Sequence, residues 1–140
     1  MLLQFYEMRD NNWLLSRLDN LWTDHFPDVS QDNPVVIKFG RYSKYRLGSI
    51  KLNRKTGFSQ ITITGMFKSL STPVAVIDHT IAHEMIHYAH GFSSTKRKLH
   101  RYPHEGGVVH KEMESRGLGN LTKAYKSWVK LYRKKLSNRH

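Results

Sequence analysis

The stretch PVAVIDHTIAHEMIHYAHG, from Pro73 to Gly91, holds His83-Glu84-Met85-Ile86-His87 inside a mainly apolar run. On an α-helix, residues four apart lie on one face, so the imidazoles of His83 and His87 can reach a single metal ion. Glu84 follows the first of them directly and can face a metal-bound water as its proton acceptor. The ends of the run suit a helix. Ser71 or Thr72 can cap it, Pro73 fits its first turn, and Gly91 can close it. The plainer reading is a buried helix with incidental polar residues. Two histidines and a glutamate on such a helix need compensation, however, and a metal provides it. The pattern therefore predicts a zinc hydrolase, most simply a peptidase, with Glu84 catalytic and His83 and His87 as ligands.

Seven of the nine histidines fall between positions 79 and 110, and His79, His83, His87 and His90 lie along one helical stripe. His79 and His83 also have the four-residue spacing, but Thr80 follows His79 and cannot act as a base. His79 and His90 read instead as groups that position their neighbours. A catalytic zinc needs a third protein ligand and a free position for water. The downstream candidates are His100, His104, Glu105 and His110. Six residues beyond His87 stands Ser93, which excludes the short metzincin pattern.

The 140 residues read as one domain, 1–140, and three Trp, seven Tyr and six Phe can fill its core. No apolar run is long enough to span a membrane, and the start of the chain lacks a secretory apolar segment, so a cytoplasmic protein is expected. Without cysteine the chain can form neither disulfides nor thiolate metal sites, so zinc must be held by His, Asp or Glu. The net charge of +12 favours polyanions, nucleic acid first. A generically basic surface is the plainer alternative. No helix-turn-helix, zinc finger or aromatic RNA-binding pattern accompanies the charge, so contact is expected through the phosphate backbone.

Outward from the metal helix, set at about Thr72 to His90, the pattern is α+β. Asn11 or Asn12 can cap an N-terminal helix with Leu14, Leu18, Leu21 and Trp22 at helical spacing, ended by Pro27. Strands are expected at Val35–Phe39, Tyr45–Leu52 and Gln60–Thr64, forming a small antiparallel or mixed three-stranded sheet with a turn at Lys55-Thr56-Gly57. A polar loop from Phe92 to about Glu105 leads to two C-terminal helices, at Gly106–Arg116 and at about Thr122–Leu136. The last places Tyr125, Trp128, Val129, Tyr132 and Leu136 on a face that reads as a docking surface. Its other face carries Lys123, Lys126, Lys130, Arg133 and Lys134, the candidates for phosphate contact.

Arg46-Leu47-Gly48, Ile61-Thr62-Ile63, the His83–His87 motif, His104-Glu105-Gly106-Gly107 and Met113-Glu114-Ser115-Arg116-Gly117-Leu118 follow the order seen in SprT-like metallopeptidases. The resemblance spans about residues 35–118 and implies a minimal zincin-like domain binding one Zn²⁺. In that family a third histidine precedes a glycine and stands eight residues before a methionine. Counting back from Met113 lands on Glu105 rather than His104. The resemblance thus implies His104 as third ligand, with one extra loop residue, or Glu105 in its place. The family often adds a C-terminal zinc ribbon, which a chain without cysteine cannot build.

The implied activity is an endopeptidase that hydrolyses peptide bonds of proteins associated with nucleic acid, through a water activated by Glu84. The Gln60–Thr64 strand is expected at the sheet edge beside the cleft, where substrate adds as a strand. Tyr102 or His100 is a candidate second oxyanion donor. Two alternatives share the residues: a zinc-stabilised basic DNA-binding domain without turnover, and a regulatory peptidase that cleaves a repressor.

Overall fold

The computed structural model describes residues 8–138. Helix α1, Asn11–His25, starts on Asp10, whose Oδ1 accepts the Trp13 N–H at 2.8 Å. The cap thus lies one residue before the expected asparagines. Asn11 instead turns its side-chain oxygen to the Phe39 N–H at 2.9 Å. Leu14, Leu18 and Leu21 form the buried stripe that the spacing predicts, and the helix stops at buried Phe26, just before Pro27.

Strands β1 (Val35–Phe39), β2 (Gly48–Asn53) and β3 (Phe58–Ile63) form one mixed sheet in the order β1-β3-β2. Alternation decides which side chains are buried: Val35, Ile37 and Phe39 on β1, and Ser59, Ile61 and Ile63 on β3. Strand β2 begins at Gly48 rather than Tyr45, which is 83% exposed. The β2–β3 turn is held by Asn53, whose Oδ1 accepts the Lys55 and Thr56 N–H groups, and by Gly57 at φ +77°. Strand β3 runs parallel to β1 and antiparallel to β2, with Ile61 opposite both Ile37 and Ile50. It is therefore the central strand, and the expectation that it forms the edge beside the cleft is overturned. Alternation reports which face a residue occupies, not which neighbours its strand pairs with. Strand β2 is the edge on the cleft side.

Helix α2, Val74–Ala89, is buried on nearly every side because α1, α3, α4 and the sheet all pack against it. Its N-cap is Pro73, not Ser71 or Thr72, and no side chain caps it; the Val76 and Ile77 N–H groups donate to the Pro73 carbonyl at 3.0 and 3.4 Å. At its other end Gly91 N–H donates to Tyr88 O (3.1 Å) and Phe92 N–H to His87 O (2.9 Å), the Schellman pattern. Gly91 has φ +85°, and a Cβ there would meet the Arg97 carbonyl oxygen at 2.4 Å, so both conformation and space demand glycine.

Helix α3, Val108–Ser115, ends in the same way at Gly117. Helix α4, Gly119–Ser137, begins three residues before the expected Thr122, with no side-chain cap to mark its start. Its aromatic stripe is a docking face. Tyr125 stacks on His79, Trp128 meets Phe67 edge-on at 5.7 Å, and the Tyr132 hydroxyl donates to Lys44 O at 2.8 Å. Among the described residues no helix is long and apolar enough to cross a membrane.

Candidate metal centre

Helix α2 presents His83 and His87 one turn apart, and the end of the following loop lays His104 over them. His83 Nε2 and His104 Nε2 are 2.9 Å apart. The His87 ring centroid lies 4.7 Å from each of the other two. One ring nitrogen from each of the three falls within 4.8 Å of the others, so the cluster can hold a metal ion. Two imidazoles on a tetrahedral zinc, each at about 2.0–2.1 Å, stand about 3.3 Å apart, a spacing close to that found. His87 Nδ1 is buried with no hydrogen-bond partner among the described residues, which costs free energy. Three imidazoles suit a borderline ion such as zinc.

Electrostatics favour the ligand form of these rings. Burial lowers the pKa of His83 to about 4 and that of His87 to about 3, and repulsion from neighbouring imidazoles adds to the shift. Both are neutral at pH 7, as metal binding requires. Glu84, only 7% exposed, sits beside the cluster at the start of β2. A Cβ on Gly48 would stand 3.5 Å from Glu84 Oε2 and 2.6 Å from Thr80 Cγ2, so glycine lets the strand reach the helix here. Burial raises the Glu84 pKa from 4.5 to about 7, opposed in part by the positive charge of Arg46. A carboxyl poised there can both accept and return a proton near neutrality.

The remaining expected site residues lie outside the three-imidazole cluster, although His79, His110 and Lys126 line the cavity beside it. Glu105 is exposed and turned away: its Oε1 accepts the Tyr102 N–H at 2.8 Å, and the cluster forms with His104 instead. His79 stacks flat on Tyr125 with centroids 4.3 Å apart. His90 Nε2 contacts Glu112 Oε1 at 2.5 Å, and Glu112 in turn accepts Arg116 Nε at 2.9 Å, which ties the end of α2 to α3. Neither of the two residues expected as oxyanion donors, His100 and Tyr102, is among those lining the cavity. The His100 ring lies against His90 at 4.7 Å, and Tyr102 is 58% exposed. Lys123, Lys126, Lys130, Arg133 and Lys134 are exposed along α4, and of these only Lys126 reaches that cavity.

The cavity measures about 530 Å³ and is walled by the start of β2, helix α2, the segment 104–113 and helix α4. Arg46, Tyr125 and Lys126 are lining residues that the motif does not reveal. Arg46 stands two residues before Gly48, a glycine required by close packing, and Tyr125 belongs to a recognisable stripe. Nothing local in the sequence says that the two line one cavity. Compared with protein-family models, curated proteins and solved structures, the chain gives no match.

Proposed function

We propose that the chain is a zinc-dependent endopeptidase, a reading that also agrees with the resemblance to SprT-like metallopeptidases. The observation that carries it is a buried carboxylate, Glu84, set beside three clustered imidazoles in an open cavity. Bound to His83, His87 and His104, zinc would supply Lewis acidity that brings the pKa of a water toward about 7 and polarises a peptide carbonyl. Glu84 takes the proton of the attacking water and delivers it to the departing amine as the C–N bond breaks. The free edge of β2, whose first residue Gly48 lines the cavity, supplies backbone groups for an extended substrate. The exposed basic face of α4 contacts phosphates and concentrates the enzyme on proteins associated with nucleic acid. That same face favours a second reading, a zinc-stabilised DNA-binding domain without turnover.

Incubation of the zinc-loaded and the chelated chain with unfolded casein, with fragments read by mass spectrometry, separates the two. Zinc-dependent fragments, increased by single-stranded DNA, are expected. One zinc per chain with intact substrate would overturn the peptidase in favour of the binding domain.

A further inference from the structure

The cavity beside the cluster is electrostatically one-sided. Glu84 is the sole carboxylate among its lining residues, whereas Arg46 and Lys126 both reach it with exposed cationic side chains. They come from separate elements, Arg46 from the segment before β2 and Lys126 from α4. Neither forms an ion pair within 4 Å among the described residues, although the charge of Arg46 is felt by Glu84, a carboxylate that the Glu84→Gln substitution neutralises. Lys123, Lys130, Arg133 and Lys134 do not line the cavity, so the two cations are set apart from the rest of the basic face by convergence on a concave site. Tyr125, next to Lys126, stacks on His79, one helical turn before His83. Both cations thus line the same cavity as His79 and the imidazoles of His83 and His104. Thr122, one turn before Lys126, also lines the cavity and is 5% exposed, and its hydroxyl lacks a hydrogen-bond partner among the described residues.

We propose that this cavity contains a carboxylate pocket, in which Arg46 and Lys126 bind a carboxylate of a peptide that passes the imidazoles. The guanidinium can grip a carboxylate with two N–H groups, and the ammonium adds a point charge. The carboxylate comes from an Asp or Glu side chain or from a free C-terminus; the chemistry is shared. A nucleic-acid phosphate fits less well, because the wall of this cavity also carries apolar Val109 and Met113. The choice of substrate rests on the peptidase reading, but the pocket itself does not.

The test uses the full chain carrying Glu84→Gln, so that peptides bind without being cut. Fluorescent peptide pools carrying Glu or Gln at one position at a time, each as free acid and as C-terminal amide, are titrated by anisotropy. About tenfold tighter binding of the Glu pools, or of the free acids, is expected, and which of the two appears identifies the source of the carboxylate. The advantage should fall below twofold when Arg46→Gln or Lys126→Gln is added. Both side chains are exposed, and unchanged unfolding midpoints would verify that the variants fold. Equal binding of charged and neutral pools would overturn the pocket. So would an advantage that survives both substitutions, or substitutions that weaken binding to oligo(dT) alone. If the parent chain cuts no peptide while the carboxylate advantage holds, the peptidase reading fails and the pocket stands.

Discussion

Replacing Glu84 by Gln is predicted to stabilise the metal-free chain while removing the proposed general base. The carboxyl is 7% exposed, and burial raises its pKa from 4.5 to about 7. The unfolded chain therefore loses this proton at lower pH than the folded chain does. Below about pH 4.5 the group is neutral in both states and exacts nothing. As pH rises from 4.5 to 7, ionisation favours the unfolded state, and above 7 the loss is complete. A shift from 4.5 to about 7 corresponds to about 3 kcal/mol, with about 1 kcal/mol already expressed at pH 5 and about 2 at pH 6. Gln does not titrate, so the stability difference between Glu84→Gln and the parent should grow by these amounts from pH 4 to pH 8. Urea unfolding of the chelated proteins, read by tryptophan fluorescence across that range, measures it. A bound dication beside Glu84 favours the carboxylate, so zinc should shrink the difference at pH 8. A difference that stays flat from pH 4 to 8 would refute the claim that Glu84 is a strained, proton-poised group.

Three further outcomes are expected. His104→Ala should lower zinc affinity by at least about a hundredfold, whereas Glu105→Ala should leave it within about threefold, as measured by competition with a chromogenic chelator. Gly48→Ala should destabilise the chain by about 1–3 kcal/mol and slow cleavage, because its Cβ would press at 2.6 Å on Thr80 Cγ2, whose hydroxyl is fixed to the Val76 carbonyl. Lys130→Gln combined with Arg133→Gln should weaken single-stranded DNA binding and make the slope of log K against log salt shallower by about 1.4, with cleavage of a free peptide unaffected.

Much of the fold was legible because it is written in local periodicity. The α1 leucines, the alternation of Val35, Ile37 and Phe39, and the apolar run of α2 each report one element and its buried face. Pairing order is not local. Ile61 alternates in the same way whether its strand has one partner or two, which is why β3 was misplaced at the edge. The start of α4 was missed for a different reason: Leu118 caps it without a side-chain hydrogen bond, so no residue type marks it. At the site, the spacing of His83 and His87 placed both rings on one face of one helix. The third group depended on a loop, where spacing does not determine position. The turn over Glu105–Gly107, with Gly106 at φ +58° and Gly107 at φ +69°, sets His104 over the helix and sends Glu105 to a backbone amide. Arg46 and Lys126 were invisible as a pair because only the packed fold joins residues 80 positions apart.

The most direct test of the account is cleavage of unfolded casein by the parent and Glu84→Gln chains at equal, measured zinc content. One zinc per chain in both proteins, with cleavage slower in Glu84→Gln by at least about a hundredfold, is the predicted result. Full cleavage by zinc-loaded Glu84→Gln, or none by the zinc-loaded parent, would contradict it.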